Sequence, residues 1–444
     1  MHELKSFFNI LDYGVQIPGN QAGAELLSTT GIQAAIDAAS AVHGTVVIPR
    51  GTFLTGTLNL KGVSVYLEKG AVLKGSPNID DYPFYGFVHN EMGNVLSLLY
   101  CMDSADVSIY GEGTIDLNGC AFYDFSKRIV PGARIPFSQA QIDECTVSYE
   151  KRPNQPIMFY RVNRLSVRGI CIINAPCWTM SFIECQDVKI TGLSIDNNLS
   201  IPNCDGMHFV CSKDIIVSGC NISSGDDCIA LTGITDWNKP TERVIISGCL
   251  LRSCSKAIAI GYMHSIVRDV TISNCIIRES NRAMVFMASA GTGLVENVTV
   301  QNLRLDTRIR AGNWWGNGEP VCIMGTYHNY ENYRDTPPPR RFETSIRNLL
   351  FQNLICSAEN VIAVIGENNS VRDICFDHVI FELKDSANLG LKGRTVDLSP
   401  GSQKAELPDN GAPYWLFVRG AENVQTHNVT LKPFHGMMPK SYVL

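Results

Sequence analysis

The sequence is poor in charge and has no excess of basic residues: 18% of its 444 residues are charged, and the formal net charge is −6. That argues against a nucleic-acid or anionic-lipid partner, and short basic pairs such as Arg340-Arg341 read as solvated surface. No apolar run is long enough to cross a membrane. The segment from Met1 through Glu3 and Lys5 lacks a basic stretch followed by an apolar one. The expectation is therefore a cytoplasmic protein with reduced thiols, although a secreted chain trimmed of its leader would read the same way. Sixteen cysteines contain no CxxC unit, and nine histidines contain no HExxH. Neither a metal nor another cofactor is expected. Cys220, Cys249 and Cys275 follow Gly or Asn in β-like segments and read as small buried thiols. Nothing in the sequence bears on oligomeric state.

What is present is material for a core, with 45% hydrophobic residues, arranged in a repeat. A nine-residue phrase of alternating apolar and polar residues around a Gly or Asn begins at Leu165, Val188, Ile215, Val244, Val270, Val298, Asn348 and Ile374. The steps are 23, 27, 29, 26, 28, 50 and 26 residues. A period in the twenties rich in β-branched residues means a β-solenoid, in which each coil buries its apolar face only by stacking on the next. The expected fold class is all-β: one parallel β-helix domain over residues 1–444, capped by an amphipathic helix around Gly31–Ala39. Three stretches break the period, at about 118–153, 307–345 and 383–420, and are expected to form loops around one groove.

A second register carries the chemistry. Asp205-Gly-Met-His-Phe-Val aligns over Asp227-Cys-Ile-Ala-Leu-Thr, then Lys256-Ala-Ile-Ala-Ile-Gly and Arg282-Ala-Met-Val-Phe-Met. Met207/Phe209, Ile229/Leu231, Ile258/Ile260 and Met284/Phe286 should point inward, leaving His208, Ala230, Ala259 and Val285 outward. Coils about 4.8 Å apart make Asp205 and Asp227 neighbours. Gly225 is expected to bend the chain so that Asp226 also reaches the groove. Crowded carboxylates raise one another's pKa, so one can act as an acid beside neighbours that act as bases. Turn aspartates at coil corners are the ordinary alternative for any one of them.

Asn203-Cys204-Asp205 and Gly225-Asp226-Asp227 resemble the Asn-Thr-Asp and Gly-Asp-Asp motifs of glycoside hydrolase family 28, the polygalacturonase-like β-helix enzymes. Gly111–Asp116, Arg152-Pro153 and Ala175–Trp178 extend the similarity over most of the chain. The resemblance implies a right-handed β-helix and an inverting hydrolase. Asp226 would protonate the leaving oxygen, and Asp205 and Asp227 would hold and deprotonate the attacking water. Two motifs depart from the family. Its Gly-His-Gly falls at Cys254-Ser255-Lys256, placing Ser255 where the histidine belongs, and its uronate-binding Arg-Ile-Lys falls at Val285-Phe286-Met287.

The expected substrate is therefore a neutral sugar in an oligosaccharide or glycoside, cleaved at a chain end rather than internally. A pectin hydrolase with a rebuilt acid-binding site, using Arg308 or Arg310, is the first alternative. A β-helix lyase and a non-catalytic carbohydrate-binding solenoid are the others. Asn203, His208, Ser255, Lys256, Tyr262 and Arg282 are candidates for substrate contact from the coils. Trp314, Trp315 and Glu319 are candidates from the loop Gly312–Pro320, whose aromatics either stack on sugar or fold back on the solenoid. Trp178 reads as coil-edge packing.

Overall fold

The computed structural model describes residues 6–17, 26–132, 136–233, 239–289, 291–327, 343–400, 404–408 and 410–444; Arg340-Arg341 lie outside them. Thirty-two strands join one continuous sheet whose inter-coil pairings are parallel, and the chain is a right-handed parallel β-helix. The repeated phrase stacks along one face as Leu165, Val188, Ile215, Val244, Val270, Val298, Leu349 and Ile374. The register selects Leu349 rather than Asn348 as the seventh start. Asn348 is a corner residue at φ +57°.

The central Gly or Asn of each phrase has a conformational cause. Gly169, Gly192, Gly219, Gly248, Asn274, Asn302 and Asn353 all have φ between +54° and +74°. That left-handed corner is open to Gly and, at small cost, to Asn. The asparagines also bond to one another along the helix, with Asn353 Nδ2 donating to Asn302 Oδ1 at 3.0 Å. Between corners, inward side chains stack on their own kind. The rings of Phe159, Phe182 and Phe209 lie 5.5 and 4.6 Å apart, each pair within 12° of parallel.

The helix Thr29–Ser40 covers the first coils with Ile32, Ala35, Ile36 and Ala39. The insertions contain more structure than loops. Residues 118–153 form the antiparallel hairpin Tyr123–Ile129 with Thr146–Tyr149. The other two stretches each contain a coil strand, Val321–Gly325 and Tyr414–Arg419, so the solenoid runs through them. The excursions proper are the tryptophan loop and the hairpin Thr395–Asp397 with Lys404–Glu406. That hairpin roofs part of the sheet. Val285, Met287, Cys322, Met324, Ala363 and Ile365, outward on their strands, are at most 2% exposed and pack against Val396, Leu398 and Ala405. All sixteen cysteines are unpaired, most of them buried.

Candidate active site

The strand register brings the aspartates together. Met207 pairs with Ile229 and Ile229 with Ile258, so Asp205, Asp227 and Lys256 occupy one column on three successive coils. Gly206 N donates to Asp227 O at 2.8 Å, fixing the first step. Asp226 reaches the same cavity where the chain bends at Gly225 and Asp226, as expected, although without a left-handed φ at Gly225. Gly225 is required because an added Cβ would meet Ile201 O at 2.3 Å. The bend and the close passage of the preceding coil together set the aspartate pair in place.

The cavity holds about 210 Å³ and is lined by Asp205, Asp226, Asp227, His208, Lys256, Asn203, Ser255, Tyr262, Trp314 and Trp315. Glu91, Trp178, Thr232, Asn313 and Met287 complete the part of the wall that matters for binding. The space is below the ~300–1,000 Å³ of drug-sized sites. It suits about one sugar ring. Asp205 and Asp227 are buried, with side chains 5% and 9% exposed, whereas Asp226 is 21% exposed. Burial, then the charges of Asp226 and Asp227, lifts Asp205 well above the usual aspartate range against the pull of Lys256. Burial pushes Asp227 up to about 8, opposed by Lys256 and reinforced by Asp226. Asp205 and Asp227 stand close enough in charge and space that neither titrates alone.

Asp205 is held from behind. The His208 ring bridges Asp205 Oδ2 at 3.2 Å and Thr232 Oγ1 at 2.9 Å. Burial, with His89 and Lys256 nearby, drives the His208 pKa well below 6.5, so the imidazole is neutral at neutral pH. Trp178 stacks on it with ring centroids 3.7 Å apart. Trp178 is thus part of the site and not of a coil edge. Asn203 is fixed by Arg152 of the first insertion, which donates to Asn203 Oδ1 at 3.0 Å and to the carbonyls of Pro176 and Pro202 at 2.9 and 2.7 Å.

Lys256, not Ser255, is the residue that faces the aspartates. Its Nζ lies 2.9 Å from Asp227 Oδ1 and 3.7 Å from Asp226 Oδ1, and 4.3 Å over the Trp315 ring. Neither of those oxygens, nor Asp205 Oδ1, has a well-directed hydrogen bond among the described residues. Ser255 lines the cavity but spends its hydroxyl on Trp315 O at 3.2 Å. The two tryptophans divide. Trp314 is folded back, 5% exposed, with Nε1 donating to Glu144 O at 2.8 Å, while Trp315 presents its ring beside Tyr262.

Arg282 and Glu319 do not contact the cavity, a correction to the expectation from sequence. Both are fully buried and paired to each other at 3.1 Å. Arg282 also donates to Asp397 O at 2.6 Å, and Glu319 accepts from Asn317 N and Asp397 N at 2.7 and 3.0 Å. The reason is the roof, which seals the next step of the column. Arg308 and Arg310 are likewise absent from the cavity wall. Arg308 pairs with Glu144, and Arg310 donates to Glu279 O at 2.9 Å. Arg308 stitches two insertions together, and Arg310 ties its loop to the coil strand Ile276–Ser280. Sequence reasoning missed Glu91, carried on the small hairpin of Val88–His89 and Gly93–Asn94. Crowding by the cavity wall, then Asp226, lifts its carboxyl, with Lys256 opposing, although much of the residue stays open to solvent. Its only signal in the sequence was a break in strand periodicity.

Residues 39–389 match the family described as Glycosyl hydrolases family 28. Among curated proteins, a probable polygalacturonase of Vitis vinifera is 23% identical over 82% of this chain and 73% of its own length. An exopolygalacturonase of Zea mays is 25% identical over 63% of each protein. Among solved structures, an exopolygalacturonase of Thermotoga maritima superposes with a TM-score of 0.63 at 20% identity, over 84% of this chain and 86% of that one. The family 28 exopolygalacturonase of Yersinia enterocolitica gives 0.65 at 17%, over 99% and 78%.

Proposed function

The chain belongs to glycoside hydrolase family 28, and from that premise we propose that it is an inverting, exo-acting hydrolase whose pocket takes an uncharged terminal sugar. The observation that carries this reading is the charge balance of the cavity. Four carboxyl groups line it, and Lys256 is already spent on two of them. A uronate entering there would meet no free cation among the described residues and would face like charge, losing the charge-assisted bonds that normally hold it. The roof over Val285 and Met287 supports exo action, because it closes the groove where a longer chain would continue.

In this reading Asp226, the most exposed of the three, reaches the leaving oxygen and protonates it. The buried Asp205 and Asp227 hold the water on the other side of the scissile bond and take its proton. Trp315 and Tyr262 offer apolar faces to the ring, and Glu91 and Asn203 accept from or donate to its hydroxyls.

Galacturonate is the second reading, favoured by the names of the polygalacturonase relatives. One experiment separates the two: a screen of neutral aryl-glycosides against oligogalacturonates, with NMR detection of the anomer first released. Turnover of neutral substrates alone, with inversion, is the expected outcome. Cleavage confined to galacturonates would replace the substrate assignment, and retained configuration would remove the mechanism.

A further inference from the structure

The site as described has a difficulty that points to one residue. Two buried carboxyls, at Asp205 and Asp227, are each disfavoured as anions by burial and by their neighbours. Hydrolysis with inversion needs at least one of them ionised when water attacks. Every charged group that could supply compensation can be named. Asp226 and Asp227 come from the preceding coil and Asp205 from the coil before that. Glu91 overhangs from its hairpin. His208 is neutral, and Arg282 on the following coil is consumed by Glu319. Among the described residues lining the cavity, Lys256 alone remains.

Its placement is unequal between the aspartates, 2.9 Å from Asp227 against 3.7 Å from Asp226. The ammonium therefore acts more strongly on the Asp227 anion than on its neighbour. The charge is itself secured. Lys256 is 4% exposed, and burial opposes its charge, but Asp227 and Asp226 outweigh burial and hold it above the ordinary lysine range. The Trp315 ring covers the ammonium at 4.3 Å. The Ser255–Trp315 hydrogen bond ties that ring to the lysine strand.

We propose that Lys256 is a positioning residue for hydrolysis: its ammonium, close against Asp227, favours the ionised form of that carboxylate and aims it as proton acceptor. In the step, a water proton passes to Asp227 while the water oxygen bonds the anomeric carbon. The glycosidic C–O pair stays with the leaving oxygen, which takes the proton of Asp226. Lys256 keeps its own proton throughout. The inference rests on this site being hydrolytic.

The test replaces Lys256 by Met, Gln and Arg and records kcat/KM from pH 4 to 9 on the substrate found in the screen. Without the cation Asp227 should hold its proton to higher pH, so the acidic limb should rise by about one unit or more in K256M and K256Q. Below the limb activity should fall about tenfold for each unit the limb moves, and above it much less, with K256R keeping the limb near its original position. A uniform loss at every pH, or an unmoved limb, would overturn the proposal. If K256M does not fold, the shorter, polar and uncharged K256Q carries the comparison, with thermal melting as the fold control. Carboxyl-carbon NMR titration of labelled aspartates reads the same shift without turnover. An unshifted Asp227 signal in K256Q would sink the inference even where the hydrolase reading itself fails.

Discussion

Lys256 and Arg282 sit in register on adjacent coils, both buried, both paired with carboxylates, and they do opposite things. Around Arg282 the polar groups are nearly all used: Glu319 accepts from the guanidinium and from two backbone amides, and the roof strand takes another bond. Around Lys256 three aspartate oxygens lack a well-directed partner and face a cavity. The same column thus contains a finished ion pair and an unfinished one. The finished pair fastens the tryptophan loop and the 395–406 hairpin to the solenoid. The unfinished one leaves buried carboxylates disfavoured as anions, the condition that the proposed acid-base role uses.

That contrast can be broken experimentally. Asp226→Asn should lower kcat by about 10²–10⁴, the range for losing a positioned acid, with little change in melting temperature. A large drop in melting temperature would mean that the cavity aspartates also hold the fold. Arg282→Met should instead cost about 3–5 kcal/mol of stability by stranding Glu319, measured by denaturant unfolding. Replacing both partners with apolar residues should recover most of that loss, and failure to recover would show that the pair does more than fasten two loops.

A smaller effect concerns pH. Asp205 binds its proton more tightly folded than unfolded, so its contribution to stability is full below the unfolded pKa and is lost as pH rises through the folded one. Asp205→Asn should therefore raise the melting temperature at pH 8 and leave it nearly unchanged at pH 4. An equal change at both pH values would place the effect in packing. Smallest is Trp315→Ala, expected to weaken substrate binding by about 1 kcal/mol through lost stacking. An unaltered KM would leave Trp315 as a cover for Lys256 and nothing more.

How much of this was legible in the sequence follows from which contacts are periodic. The Asp205–Asp227–Lys256 column was readable because strand register converts sequence spacing into spatial adjacency, and the left-handed corners leave Gly and Asn as visible marks. The ion pair of Arg282 was not readable. An arginine in an outward column looks available until a strand more than a hundred residues later covers it. Glu91 was hidden for the same reason, since a hairpin's position over a cavity is not encoded by any repeat. That Lys256 rather than Ser255 faces the aspartates followed only from the backbone register with Asp227.

By itself, then, the sequence determined the solenoid, its coil register, its capping helix and the meeting of three aspartates. All of these depend on local alternation and stacking at a fixed period. Tertiary structure alone decided which charges remain available: whether an insertion folds over a column and whether an arginine is spent. Those outcomes depend on where non-repeating segments come to rest, and no periodic pattern fixes that.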